Sequence, residues 1–210
     1  MRSYLSMAIL MIIAALSYGC SDPSANKQKA TVANAQQESN TPKASGTETL
    51  AITPENSKVE FVASKVTRSH NGSFKQFSGQ IDLAPNIPDS RVTIDVETSS
   101  VVADDDQLTG HLKTPDFFDV AKFPKATFVS TKIEAAGGDN HNVTGNFDLH
   151  GVKKSISFPA TIKVTPDSVS VLAEFSINRK DFGIVYAGKA DDLIRDGVVI
   201  KLNLNVPRKK

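Results

Sequence analysis

The residues best suited to bind a metal are His111 and His150, together with the acids of "ADDDQ" at 103–107. Histidine and carboxylate ligands hold zinc when three or four of them converge. The chain has four histidines and one cysteine, Cys20, and these residues show no ligand spacing. The acids also lack the alternating oxygen ligands and glycine of a calcium loop. We therefore predict no metal, with the histidines as hydrogen-bonded structural residues and the aspartates as helix caps.

Nucleophilic catalysis would need residues that this sequence does not supply. It has no G-x-S-x-G motif, no glycine-rich phosphate loop, and no cysteine beyond Cys20. We therefore predict that the protein is not an enzyme. The enzymatic alternative is chemistry on a lipid or quinone at His111 with Asp116, and it stays open.

A charged trio follows an alternating segment near the C-terminal end of the chain: Arg179, Lys180 and Asp181. One interpretation is that these side chains contact the polar head of a ligand. The other is that they lie at a strand end, with the arginine and the aspartate paired on the surface.

The charge balance argues against a nucleic-acid partner. The chain has 24 basic and 23 acidic residues, and removal of a leader containing Arg2 would bring the net charge to about zero. The terminal "RKK" is the only basic run, so the basic face typical of nucleic-acid binders is missing.

The N-terminal residues "MRSYLSMAILMIIAALSYGC" are typical of an export signal, with Arg2 ahead of the apolar run Leu5–Leu16. Cys20 after Gly19 resembles the lipidation site of bacterial lipoproteins. We predict a signal peptide at 1–19, a lipid anchor on Cys20, and location at the periplasmic face of the outer membrane. A soluble periplasmic or secreted protein is the alternative.

The next segment has the composition of a linker. Residues 21–47 are rich in Ser, Thr, Asn, Gln and Ala, and Val32 is their only large aliphatic residue. We predict a lipidated, disordered tether at 20–47 that spans roughly 30 Å, followed by one folded domain at 48–208.

Apolar residues in this domain recur at every second position, as in Val92, Ile94 and Val96. This period, interrupted by turn signals such as Asn71-Gly72, predicts about eight antiparallel strands. The alternation leaves a closed barrel and a two-sheet sandwich open. The chain lacks tryptophan, and Tyr186 is its only tyrosine after the leader, so the apolar faces should point inward rather than toward lipid.

The period changes in "LTGHLKTPDFFDVAKFP" at 108–124. Asp105 or Asp106 is placed to cap a first helical turn, and 114–116 has the Thr-Pro-Asp pattern of a second helix start. Phe117 and Phe118 would then share one apolar surface. We predict a short helical insertion near residues 106–121.

Three motifs, "GHLKTPDFFDVAKFPKATFVST", "VTGNFDLHGVKKSISFPATI" and "FSINRKDFGI", resemble the YceI-like family, the polyisoprenoid-binding domain of bacterial periplasms. The likeness covers about residues 49–207. One departure is Thr109-Gly110, which stands where many members carry an Arg-Asp pair.

The resemblance implies an all-β fold, an eight-stranded antiparallel lipocalin-like barrel with the helical insertion near its opening. It also implies an apolar lumen that binds an isoprenoid, a quinone-like lipid or a fatty lipid, with no other cofactor. His111, Arg179 and Lys180 are candidate head-group contacts. The candidate lumen residues are Phe61, Phe77, Ile81, Ile94, Leu112, Phe117, Phe118, Phe128, Phe147, Phe158 and Phe175.

The expected function is a carrier or store of such a lipid in the bacterial envelope. Ordinary core packing of the phenylalanines is the competing interpretation, and it would favour an interaction protein without cargo. A homodimer and a membrane-protein partner stay open.

Overall fold

The computed structural model describes residues 22–37 and 45–208. The predicted signal peptide and the lipidation site at Cys20 lie outside these residues. No helix in the described part is long and apolar enough to span a membrane. The described chain forms β1 Thr31–Asn34, β2 Glu48–Ile52, β3 Ser57–Ser64, β4 Ser69–Phe74, β5 Phe77–Leu83, β6 Arg91–Glu97, β7 Val101–Ala103, α1 Asp106–Leu112, β8 Lys125–Ala135, β9 Asn140–Leu149, β10 Val152–Val164, β11 Ser168–Asn178, β12 Gly188–Lys189, β13 Asp192–Leu193 and β14 Gly197–Pro207.

Eleven of these strands form one antiparallel path in the order β2-β5-β6-β8-β9-β10-β11-β14-β3-β4-β7, and β1 adds to β10. The sheet curls until β2 lies beside β14, where Arg208 Nε donates to Glu48 Oε2 at 2.9 Å. The predicted all-β, lipocalin-like fold is confirmed.

The count of about eight strands was too low because several strands are short or lack the alternating pattern. The clearest case is β4, "SHNGSF", in which Asn71-Gly72 suggested a turn. In the structure both residues are paired with β3, and Gly72 faces the ring of Phe61. A glycine in a strand marks a close approach of another group as often as it marks a turn.

The apolar sets of the long strands face the interior, as predicted. On β11, Val169, Val171 and Phe175 are buried while Leu172 and Glu174 are exposed. This parity places the hydrophobic core inside the curl, because side chains on a strand alternate between its two faces.

The prediction of a disordered tether is wrong for residues 22–37. β10 and β11 pair only through residues 161–164 and 169–172. Closer to the other end of the two strands, β1 pairs with residues 154–157 of β10, and Lys29 bridges Ser176 of β11. This segment therefore fills a gap in the wall, which its polar composition did not indicate.

Asn146 fixes the end of this segment through its side chain. Its Oδ1 accepts from Gln36 N at 2.8 Å and its Nδ2 donates to Gln36 O at 2.7 Å. Asn146 is 2% exposed, so these two bonds satisfy a buried amide that would otherwise be costly. Gln36 also accepts from Thr131 through its own side chain.

The helical insertion is confirmed for its first part only. Asp105 caps α1 by accepting from Leu108 N at 2.8 Å. The second helix predicted at Thr114 does not form. Thr114 Oγ1 instead donates to His111 O, and Asp119 has a positive φ of 45°, so residues 113–122 fold as turns.

We expect Asn146→Ala to lower the free energy of unfolding by about 1–3 kcal/mol, because both backbone groups of Gln36 lose their partner. Hydrogen exchange should also become faster at residues 28–36. Asn142→Ala, an exposed asparagine on the same strand, is the control and should change stability by less than about 0.5 kcal/mol. Equal urea unfolding curves for the two variants would contradict a stabilising role of the hydrogen bonds between Asn146 and Gln36.

Candidate functional site

An apolar cavity of about 150 Å³ lies inside the curled sheet. Glu60, Thr127 and Arg179 are the only polar residues among those that line it. The other lining residues are aliphatic or aromatic and come from β3, β4, β6, α1 and its following turns, β8, β9, β10, β11, β14 and the segment around Ile184 and Ile194. We call this space the inner cavity.

Phenylalanines form two groups around the inner cavity. On one side, Phe158 stacks on Phe175 with ring centroids 4.1 Å apart, and Phe128 lies 5.6 Å from Phe158. On the other side, Phe74 and Phe118 meet edge to face at 5.5 Å, beside Phe61. Such tilted and stacked arrangements are the favoured ones for aromatic pairs.

Two inward-facing glycines allow these rings to lie along the wall. A Cβ at Gly72 would overlap the ring of Phe61, and one at Gly145 would come within 2.5 Å of Phe128 Cζ. Each ring thus occupies the space of a missing side chain on a neighbouring strand. This placement keeps two large side chains from filling the interior.

Nine of the eleven predicted lumen residues line the inner cavity: Phe61, Ile94, Leu112, Phe117, Phe118, Phe128, Phe147, Phe158 and Phe175. Phe77 and Ile81 do not. Both are buried on β5, where they pair with Val96 and Val92 of β6 and belong to solid core. Their inward parity was predicted correctly, but parity does not show where along the barrel the packing is complete.

A second space of about 430 Å³, here called the outer pocket, adjoins the inner cavity. The two share lining residues, namely Phe61, Ala63, Leu112, Phe117 and Ile194. Apart from Leu108 and Gly188, the other residues that line the outer pocket are charged or polar: Ser64, Lys65, Arg68, His70, Asp105, Gln107, His111, Tyr186, Lys189 and Asp192. The apolar interior therefore continues into a polar mouth.

His111 lies in the outer pocket, as its candidate role requires. Its Nε2 is 2.8 Å from Asp116 Oδ2, and its ring meets the edges of Phe117 and Tyr186. The predicted hydrogen bond of this histidine is present, and its role stays a prediction. The imidazole is also partly exposed toward the pocket.

A second histidine pair borders the outer pocket. His70 Nδ1 lies 2.8 Å from Asp104 Oδ1, and Asn71 N donates to Asp104 Oδ2. Burial opposes ionisation of Asp104, but the hydrogen bonds from Asn71 and His70 outweigh it, so the pKa of Asp104 lies below its usual value.

Arg179 is a buried residue whose hydrogen bonds position the segment around Ile184 and Ile194. It is 4% exposed, and its guanidinium donates to Ile184 O at 2.7 Å, Arg195 O at 3.1 Å and Ile194 O at 3.3 Å. Burial lowers the pKa of this guanidinium, while Asp196 at 3.4 Å opposes the shift. The predicted surface pairing of arginine with Asp181 is therefore wrong. The N–H donors of Arg179 are bound to backbone carbonyls, so they are not available to a ligand in the lumen.

Lys180 is outside both spaces and pairs with Asp196 at 3.0 Å on the surface. Its position does not support a head-group contact in this conformation. Thr109 Oγ1 accepts from Ala103 N and donates to Asp105 O, while Gly110 has open space around it. Thr109 thus stabilises the start of α1, and Gly110 leaves open space beside the helix.

His150 differs from its predicted role. Its φ is 55°, its ring lies 4.5 Å from the Phe123 ring, and its buried Nε2 has no hydrogen-bond partner within the described part of the chain. It is a packed residue, and the turn with Gly151 determines its position. Across residues 22–37 and 45–208, no three His, Cys, Asp or Glu side chains are grouped to hold a metal.

Sequence reasoning missed most of the polar mouth, including Lys65, Arg68, Tyr186 and Lys189. These residues lie on the β3–β4 connection and on the segment around β12 and β13, where no apolar period exists. Their placement depends on backbone contacts such as Arg195 N to Ser64 O at 2.9 Å, which join two segments 131 positions apart in the chain. The charge of Lys65, Arg68 and Lys189 was the only signal in the sequence, and charged residues are common in surface loops.

We expect Arg179→Met to lower the free energy of unfolding by about 2–4 kcal/mol, because three backbone carbonyls lose their donor. Protease sensitivity should rise within residues 184–195. Lys180→Met is the control, since its ion pair is exposed and is expected to contribute less than about 1 kcal/mol. Urea unfolding that treats the two variants alike would show that the guanidinium does not hold this segment.

The YceI-like domain family matches residues 50–206 of the chain. A UPF0312 protein of Pseudomonas putida strain W619 is 33% identical over 121 residues, or 54% of this chain and 63% of that protein. The chain thus spans slightly less than two thirds of that relative's length. BcnA of Burkholderia cenocepacia is similar in structure, with a TM-score of 0.69, 27% identity, and coverage of 73% of this chain and 98% of BcnA.

A polyisoprenoid binding domain from Saccharophagus degradans has the same fold, with a TM-score of 0.62 at 19% identity and coverage of 77% of this chain and 98% of that domain. The family match spans nearly all of the curled sheet, including every strand from β3 to β13 and most of β2 and β14. This chain belongs to the YceI-like domain family.

Proposed function

We propose that the protein binds a long-chain lipid, an isoprenoid or a lipid of similar shape, with the tail in the inner cavity and the polar end in the outer pocket. The observation that carries this proposal is that the two spaces are adjacent and share Phe61, Ala63 and Leu112 in their linings. A ligand with an apolar tail and a polar end matches this change of lining. The polyisoprenoid binding domain from Saccharophagus degradans supports the same ligand class, because it shares the fold.

The apolar interior supplies enough binding free energy for such a ligand. Transfer of a CH₂ group from water contributes about 0.8 kcal/mol, so ten buried carbons contribute roughly 8 kcal/mol before the costs of association and chain ordering. Affinity can therefore come from the tail, and the polar end can select among lipids.

The inner cavity, however, is small in this conformation. An apolar cavity of about 150 Å³ holds a molecule the size of benzene, which is roughly one isoprene unit. A longer tail must extend through the junction into the outer pocket or move the phenylalanine rings. Phe74, Phe118 and Phe147 are only partly buried, so they are the lining rings with the most room to turn.

The polar end would meet groups that can hydrogen-bond to it. Ser64 is buried at the outer pocket, and its Oγ has no hydrogen-bond partner within the described residues. A hydroxyl, carbonyl or phosphate oxygen of the ligand would satisfy this group. His111 and Tyr186 lie in the same pocket, on the α1 side and the β12 side.

The cellular setting is part of the proposal. Cys20 would carry a lipid that anchors the protein to the periplasmic face of the outer membrane, where the domain would carry or store its ligand. A soluble periplasmic or secreted form is the alternative. Globomycin sensitivity of processing in the native bacterium distinguishes the two.

Catalysis on the bound lipid is a second candidate because His111 and Asp116 are in contact. An imidazole held by a carboxylate can act as a general base. The test is a search for a product after incubation with lipid, with His111→Ala alongside. Turnover that disappears in the variant while binding persists would favour an enzyme.

We expect Ala63→Trp to reduce lipid recovery by about tenfold, which corresponds to about 1.4 kcal/mol of binding free energy. Ala63 lines both spaces, so an indole there obstructs their junction. The measurement is mass spectrometry of an organic extract, followed by uptake of a long-chain polyprenol by the stripped protein. Ala135 is exposed at the C-terminal end of β8. Ala135→Trp is therefore the control and should retain its lipid.

A wild-type protein that yields no lipid and takes up no polyprenol or fatty acid would refute the proposal. That result would favour an interaction protein without cargo.

A further inference from the structure

Three exposed apolar residues are next in sequence to residues that line the outer pocket. Val66, Val185 and Leu193 are at least 49% exposed. Each is a chain neighbour of a residue that lines the pocket: Lys65, Tyr186 and Asp192 respectively. Val66 N donates to Leu193 O at 3.1 Å, so two of the three lie on adjacent backbone segments.

The charges at this opening are unevenly satisfied. Asp192 pairs with Lys65 at 2.5 Å and accepts from Thr67, and Asp105 caps α1. Within the described residues, Arg68 and Lys189 are exposed and form no salt bridge within 4 Å, although the charge of Arg68 helps to lower the pKa of Asp104. The three basic residues at the opening, Lys65, Arg68 and Lys189, are matched in number by Asp105, Asp191 and Asp192, so the opening has no excess positive charge.

The N-terminal segment reaches the same end of the barrel. β3 and β11 end there, at Ser64 and Asn178, and β14 begins there at Gly197. Asp22 Oδ2 lies 3.8 Å from Arg195 Nη1, and Ser24 lies against Gly197. Ser21 alone separates Asp22 from Cys20 in the sequence, and the apolar run Leu5–Leu16 precedes it.

We propose that this rim, formed by Val66, Val185 and Leu193 with Arg68 and Lys189 beside them, is a docking surface for a phospholipid bilayer. Apolar side chains that enter the interface and cations that meet lipid phosphates are the usual elements of such a surface. The segment that ends at Asp22 brings the upstream chain to the same end. The pocket would then open toward the bilayer, which allows a ligand to pass between the two without crossing water.

This docking does not depend on the identity of the ligand, so it can fail while the proposed function holds. The reverse also applies, because a rim can bind a bilayer whether or not the cavity takes a lipid.

The chain has no tryptophan, so a single introduced indole reports its own surroundings. Leu193→Trp places it on the rim. Leu172→Trp is the matched control, since Leu172 is 48% exposed against 49% for Leu193 and pairs with Thr161 and Asn203 toward the other end of β11. The full chain of each variant is mixed with vesicles of phosphatidylethanolamine and phosphatidylglycerol whose acyl chains carry bromine.

The indole of Leu193→Trp should shift its emission to shorter wavelength and lose about half of its intensity, because interfacial side chains sit near the acyl boundary. The indole of Leu172→Trp should emit as it does in buffer. Equal quenching in both variants, stronger quenching in Leu172→Trp, or no vesicle association would overturn the proposal. If Leu193→Trp does not unfold like the wild type, Val185→Trp replaces it.

A charge series tests the cations separately. Arg68→Gln combined with Lys189→Gln should weaken association with these vesicles about tenfold. Lys58→Gln combined with Lys163→Gln removes the same charge from exposed positions toward the other end of the sheet and should leave association within about twofold. Similar losses of vesicle association in the two double variants would show that the net charge of the protein determines binding. That result would contradict the role proposed for Arg68 and Lys189.

Discussion

A curled antiparallel sheet with one apolar face must place that whole face in a single interior, and the rest of this structure follows from how that interior is filled. The sheet reaches from β2 through β14 to β7, so the inward side chains of many strands compete for the same space. Around β5 they pack into solid core. Near β3, β9 and β11 they do not, because the rings of Phe61 and Phe128 lie over Gly72 and Gly145. Protein interiors are normally packed as densely as organic crystals. An apolar space that stays open is therefore a property of particular residues, here aromatic rings paired with glycines.

The open end of that interior depends on one buried cation. The segment from Ile184 to Arg195 has only two-residue strands, β12 and β13, and such a short hairpin has little stability of its own. Arg179 connects its two ends to the end of β11 by donating to Ile184, Ile194 and Arg195 carbonyls. Desolvation of the guanidinium is unfavourable, as the lowered pKa of Arg179 reflects, and the hydrogen bonds to carbonyls compensate for it. The same bonds make the arginine unavailable to a ligand, which is why a motif residue beside the cavity has a positioning role.

The sequence predicted what depends on local pattern. Alternation predicted the inward parity of Ile94, Phe158 and Phe175, and capping chemistry predicted Asp105 or Asp106 at the start of α1. It could not predict features that depend on distant backbone. Phe77 and Phe175 look alike in period, and only their depth along the barrel separates core from cavity. Likewise, Ser155 and Ser176 alternate with apolar residues, which predicts an outward position, and yet both are buried where residues 29–34 pair with β10 and β11. The head-group candidates show the same limit: His111 lies in the outer pocket, whereas Arg179 is engaged by backbone and Lys180 lies on the surface.

The ordered segment at residues 22–37 affects how freely the domain could turn on the proposed anchor at Cys20. A flexible tether of about 27 residues would let the barrel turn freely at roughly 30 Å from its attachment point. Ordering of residues 22–37 costs conformational entropy, and the hydrogen bonds to Ser176 and Asn146, with burial of Ala30, offset it. Only Ser21 separates Asp22 from Cys20 in the sequence, so the proposed anchor at Cys20 would constrain the orientation of the domain. Since both Asp22 and the outer pocket lie at the end where β11 stops and β14 starts, such an anchor would favour an opening that faces the membrane. The gap between β10 and β11 thus links the path of the N-terminal chain to the direction of the cavity.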